Sequence, residues 1–138
     1  MAEMKSAKAV WTGDGLAFQG VLGSGYTFEM GSPAGEAQGS PMEFFLAGVA
    51  GCTAVDVVSI LQKKRQPVKG VTVEIKGTRA EEHPMVYTHA VIEYVVSGDV
   101  SPKAVEDAIK LSKTKYCSAS IMLQQSGAEV TTTYRIVP

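Results

Sequence analysis

Two cysteines, Cys52 and Cys117, are the residues of this 138-residue chain best suited to covalent chemistry. Cys117 falls where one helical stretch finishes and another starts. A thiol at a helix N-terminus faces unpaired N–H groups that favour thiolate and lower its pKa, and Lys113 and Lys115 add positive charge. Cys52 lies in an apolar run, where a free cysteine is ordinarily a small hydrophobe. Were the two sulfurs to meet, they would support peroxide reduction: one thiolate attacks the O–O bond and becomes sulfenic acid, and the second thiol captures it as a disulfide. Spacing alone does not bring them together.

Other chemistries find less support. His83 and His89 are further possible metal ligands, but no Cys-x-x-Cys or His-x-x-x-His pattern occurs, so no metal is expected. His83 sits beside Pro84 in a loop and His89 in a strand. There is no Gly-x-Ser-x-Gly elbow, phosphate loop or dinucleotide fingerprint, and no cofactor is expected. Asp56, one helical turn from Cys52, needs a partner if it is buried. Pairing with Lys64, Arg65 or backbone donors accounts for it. A carboxylate beside a thiol raises the thiol's pKa, which opposes activation, so Asp56 is not counted as catalytic.

The elements that must carry these residues are legible. The chain is 45% apolar and 20% charged, with 13 basic against 14 acidic side chains and a formal net charge of −1, which marks one soluble domain over residues 1–138 with no field for gripping nucleic acid. A chain of this mass can bury about two-thirds of its unfolded surface, so its core needs neither disulfide nor metal. The first eight residues hold no apolar run of signal-peptide length, which implies a reducing, cytoplasmic location where thiols persist.

Residues 5 to 30 read as strands broken by glycine turns, an antiparallel meander, followed by a loop at 31 to 39 expected to be mobile. Ser40, Pro41 and Glu43 occupy N-cap, N1 and N3 of a capping box. The helix it starts, Phe44 to Leu61, carries Asp56 as its one charge and ends before Pro67. Its eighteen residues span about 27 Å, near the bilayer minimum. Asp56, Thr53 and Ser59, with amphipathic strands on either side, favour burial in protein over a membrane. Ala47, Ala50, Gly51, Ala54 and Val58 share one side of this helix and permit close approach of another backbone, either from the same chain or from the equivalent helix of a second subunit. Phe45, Cys52, Asp56 and Ser59 lie opposite.

Val71 to Lys76 and Tyr87 to Val96 alternate as a strand pair. Ser101 and Pro102 start an amphipathic helix with Val105, Ala108, Ile109 and Ser112 on one face, which fades near Tyr116. Ser118 to Gln125 forms a shorter helix ending at Gly127, and Val130 to Val137 a last strand.

The runs Ser40-Pro-Met-Glu43 into Ala47-Gly-Val-Ala-Gly-Cys52-Thr-Ala-Val-Asp56, and Lys115-Tyr-Cys117-Ser-Ala-Ser120, resemble the OsmC/Ohr superfamily, and the element order matches along nearly the whole chain. Residues 55 to 66 and Tyr87-Thr-His89 look most like its YhfA-type branch. The resemblance implies an α+β OsmC-like fold, antiparallel sheets around a long buried central helix, and an intertwined homodimer with two sites at the subunit interface. It implies Cys52 as the cysteine that attacks small organic or inorganic hydroperoxides, Cys117 as the resolving one, and a cellular thiol as reductant. In the family an arginine from the N-terminal half, paired with a glutamate at the position of Glu43, activates the reactive thiol. Glu43 is present, but Arg65, Arg79 and Arg135 are the only arginines, and none precedes the long helix. That departure keeps a second reading open: a non-catalytic or redox-sensing binder of a small apolar ligand, with Met42, Phe44, Phe45 and Met122 as candidate lining.

Overall fold

The computed structural model describes residues 2–138, which divide into two compact units, one ending at Phe45 and the other starting at Leu46. The first is the expected meander: β1 (Ala7–Trp11), β2 (Ala17–Leu22) and β3 (Thr27–Gly31) in that spatial order, antiparallel throughout. Cross-strand pairing of Trp11 with Phe18, Ala9 with Gly20, Phe18 with Met30 and Gly20 with Phe28 puts all these side chains on one face of the sheet. Gly20 is required there, because a Cβ would lie 2.4 Å from the Phe28 ring. The loop that follows is organised by isolated bridges, Met30 with Gly39 and Gly35 with Gln38. No large apolar side chain of this unit is buried among the described residues, and Trp11 is 58% exposed.

Helix α1 (Pro41–Lys63) starts where the capping box predicts and runs one turn further into the first unit, and two residues further at its end, than the apolar run. Ser40 N–H donates to Glu43 Oε1 at 2.9 Å, the Ser40 hydroxyl does likewise, and Glu43 N–H returns to Ser40 Oγ at 3.4 Å. In the first turn Phe44 packs on Phe28, ring centroids 4.7 Å apart.

The second unit holds the rest of α1, then β4 (Val68–Arg79), β5 (Tyr87–Gly98), α2 (Pro102–Leu111), a π-helical turn (Ser112–Tyr116), α3 (Ser118–Gln125) and β6 (Glu129–Val137). β4 and β5 form the expected antiparallel hairpin. β6 corrects the all-antiparallel expectation: it lies alongside β5 in parallel, Ala90 opposite Val130 and Tyr94 opposite Tyr134, after a crossover through α2 and α3. The buried side chains come from alternate positions of β5 (Ala90, Ile92, Tyr94, Val96), from α2 (Ala104, Val105, Ala108, Ile109) and from one row of α1 (Val49, Thr53, Val57, Leu61).

That row is the side of α1 that a single chain buries. Within one chain the helix buries positions i, i+4, i+8 and i+12, while Ala47, Gly48, Gly51 and Val55 on the far side are exposed. By length and composition α1 could cross a membrane, with mean hydropathy 2.0 over eighteen residues, of which only 22% are buried. An apolar helix bare on one side is unfinished without a partner surface.

Candidate functional site

The two cysteines come near each other. Cys52, half-buried on α1, stands close enough to Cys117 for its thiol to interact directly with the Cys117 side chain, although 65 positions separate them, and both are free thiols. Chain geometry delivers Cys117 to this point. After α2 the helix widens into the π turn, closed by Cys117 N–H donating to the Ser112 carbonyl at 2.8 Å. Cys117 then turns extended and becomes the N-cap of α3, its Sγ accepting Ser120 N–H at 3.3 Å. Such π turns often mark functional positions.

The electrostatics overturn one expectation. The helix N-terminus does supply Cys117 with a backbone donor, and Ser120 favours thiolate as anticipated. But Cys117 is completely buried, and loss of water outweighs that donor, pushing the thiol above its ordinary value, with Cys52 raising it further. Lys113 and Lys115 lie on the turn, but Lys115 sits over the Tyr116 ring, 5.2 Å from its centroid.

Sequence reasoning missed the polar chain beneath the sulfurs. Tyr94 OH and Thr53 Oγ1 are 2.7 Å apart, Thr53 Oγ1 and Ser112 Oγ are 2.7 Å apart, and Ser112 donates to Asp56 Oδ2 at 2.9 Å. Asp56 is only half-buried. It takes its hydrogen bond from Ser112, whereas Lys64, offered as its partner, pairs with Asp107 at 3.8 Å. Burial pushes the Tyr94 phenol above its ordinary value; Thr53 opposes that, and the nearby Cys117 and Asp56 add to it. The signal was present in polar residues at core positions: Thr53 in the buried row of α1, and Ser112 on the apolar face of α2.

These shifts make a stability statement. A thiol and a phenol whose folded pKa values are raised hold their protons more tightly in the native state. The stability this confers is complete below the unfolded values, 9.0 and 10.0, and is lost as pH rises through the folded ones. The urea midpoint is expected to fall as pH rises above about 9, with a shallower fall in Cys117→Ala. A midpoint flat to pH 11 would contradict the burial argument.

Glu43 lies in the first unit, exposed. Its carboxylate holds the Ser40 N–H and hydroxyl, which keep it below the usual carboxylate range. Of the proposed apolar lining, Phe45 and Met122 are exposed, at 46% and 67%, while Phe44 packs on Phe28. His89 lies 3.7 Å from Glu129 at the surface, and among the described residues no three His, Cys, Asp or Glu side chains cluster as metal ligands would.

Comparison with known proteins follows the same lines. The family model described as OsmC-like protein matches residues 34–133. Protein YhfA of Escherichia coli K12 is 40% identical over 132 residues, covering 95% of this chain and 97% of that protein. A hypothetical protein from Aquifex aeolicus VF5 superposes with a TM-score of 0.88 at 33% identity, over 99% of both chains. An organic hydroperoxide resistance protein OsmC from Legionella pneumophila superposes with a TM-score of 0.71 over 99% of this chain and 98% of its own; at 14% identity that likeness is one of fold. With the α+β architecture, the family match over most of its length and a relative 40% identical, this chain belongs to the OsmC-like protein family.

Proposed function

We propose that this protein reduces small hydroperoxides through a two-cysteine cycle, as a homodimer recharged by a cellular thiol. The observation that carries the reading is the nearness of Cys52 to Cys117. The family's link to peroxide and oxidative-stress defence supports it, as does the Legionella relative's described role. Cys52 is the attacking sulfur because it is the less buried of the two. Its thiolate takes the distal oxygen of ROOH, the O–O bond breaks, and ROH leaves with a proton. Cys117 then attacks the sulfenic acid, the S–O bond breaks, water leaves and a disulfide forms. Two equivalents of an external thiol restore both cysteines and become a disulfide themselves.

Two unfinished surfaces support the dimer. The first sheet has an apolar face with no buried large side chain, and α1 has an exposed flank of small and apolar residues. A second copy offers the matching surfaces to both.

Titration of reduced protein with cumene hydroperoxide or hydrogen peroxide tests the cycle. One equivalent is expected to consume both thiols, Cys52→Ser to consume none, and Cys117→Ser to stop at a sulfenic acid trapped by dimedone. Thiols that persist under excess peroxide would overturn the reading. They would leave the binding or sensing role, which the lack of any arginine before α1 favours.

A further inference from the structure

We propose that a cleft beside the two cysteines seats the external thiol that recharges them, and that this thiol is an extended small molecule bearing carboxylates; the proposal rests on the two-cysteine reading above. The cleft, of about 400 Å³, lies wholly within the second unit, between the C-terminal half of α1 and the π turn. Asp56, Ser59 and Lys63 line it from α1, and with Cys52 they fall on one stripe of that helix at spacings of four, three and four. Tyr116 lines it from the π turn and is the residue before Cys117. Each of these walls leads to a cysteine.

Along α1 the cleft has two chemical ends. Asp56, one turn from Cys52, is acidic, with its carboxylate accepting from Ser112 at 2.9 Å. Lys63 and Lys64, two turns further on, are basic. Lys64 is shared with Asp107 at 3.8 Å, whereas among the described residues Lys63 has no carboxylate partner. Lys115 places a third ammonium over the Tyr116 ring. The Leu111 and Tyr116 side chains that complete the wall are partly bare, at 37% and 52% exposure, and offer an apolar surface to a bound chain. This gradient orients an anionic thiol. Its carboxylate is drawn to the lysines and repelled by Asp56, while its thiol, neutral until it reacts, is left at the cysteine end.

Helix geometry sets the length of the occupant. Eleven residues at 1.5 Å put Lys63 about 16 Å beyond Cys52 along α1, and a helical side chain leans back over the preceding turn, which leaves about 11 Å between sulfur and ammonium. A tripeptide-sized thiol spans that distance and a two-carbon thiol acid does not. The seated thiol loses its proton to water and attacks Cys52 Sγ, the less buried sulfur. The S–S bond breaks, and Cys117 leaves with the electron pair and takes up a proton. A second equivalent attacks the reductant's sulfur in the mixed disulfide, Cys52 leaves and is protonated, and the two reductant molecules depart joined by their own disulfide. Two electrons and two protons thus pass to the protein's cysteines.

The test starts from protein oxidised with one equivalent of cumene hydroperoxide and follows the return of its thiols with glutathione and with glutathione diethyl ester, the same thiol with its carboxylates masked. Glutathione is expected to act about fivefold faster, the order that partly exposed charges supply. In the double variant Lys63→Gln, Lys64→Gln the glutathione rate is expected to fall to that of the ester, while the ester rate stays within about twofold and so reports an intact fold. Lys76→Gln, on β4 and outside the cleft, is expected to keep the full preference. Sodium chloride at about 1 M, where charges are screened beyond about 3 Å, is expected to erase the preference in the unmodified protein. Equal rates with the two thiols, no reduction by glutathione, or a preference that survives the double substitution overturns the cleft assignment and leaves the two-cysteine reading intact. Persistence of both thiols under excess peroxide overturns both.

Discussion

Val55→Glu is expected to hold the chain near 14.6 kDa in sedimentation, where the unmodified protein, as the proposed homodimer, is expected to run at twice that mass. Val55 is 69% exposed in the single chain and sits on the flank of α1 that also shows Ala47, Gly48 and Gly51. Side chains this small let a second helix come close, and close approach is intolerant of an unpaired charge. Each copy would carry one carboxylate into the contact, at an effective cost of several kcal/mol per ion, which is most of the stability of an ordinary domain. An unmodified protein that sediments at 14.6 kDa, or a Val55→Glu variant that stays dimeric, would remove α1 from the interface. Partition of the unmodified chain into lipid vesicles would point instead to the membrane that the hydropathy of α1 permits by length alone.

Leu61→Ala carries the second large effect, this time on stability. Leu61 has no exposed surface and closes the buried row of α1 in its last turn. Removing three carbons there leaves a cavity that the surrounding side chains can only partly fill, and Leu→Ala changes of this kind cost about 2–5 kcal/mol. At fixed protein concentration the variant is expected to melt roughly 10 °C lower. Gln62→Ala, one position along at the rim of the same turn, is expected to change little. A loss below about 1 kcal/mol for Leu61→Ala would show that this row is not the interior of the unit.

Much of this architecture was legible because the local signals are strong and independent of the rest of the fold. The capping box at Ser40 and Glu43 needs only four residues to declare itself, and the N-cap serine and proline before α2 do the same. The limits Ser118 and Gln125 of α3 followed from its neighbours, Cys117 and Gly127. The phase of α1 was not legible, because a helix apolar on all sides gives periodicity nothing to grip. The row that is buried, Val49 to Leu61, lies beside the row of Cys52 and Asp56, which the sequence placed only as opposite the small residues. The parallel partnership of β5 and β6 depends on a crossover through two helices, and no turn residue announces it.

At the site, the sequence named both sulfurs, and the family resemblance suggested that they cooperate. It misjudged the acidity of Cys117, because a backbone donor at a helix start is a local property whereas burial is a property of the assembled unit. Thr53, Tyr94 and Ser112 escaped for the same reason. Each is an ordinary side chain until three separate elements bring their hydroxyls within 2.7 Å of one another in sequence.

The sheet of β1 to β3 sets the order in which the molecule can be completed. Its apolar face carries the protein's sole tryptophan, and nothing in its own unit shelters that indole. In the proposed homodimer the final stage of maturation is a collision between two chains, with a rate that grows as the product of their numbers. Dilute, newly made chains pass the longest interval with sticky surface bare and are the ones most in need of a chaperone. A blue shift in the emission of Trp11 marks the moment that interval ends.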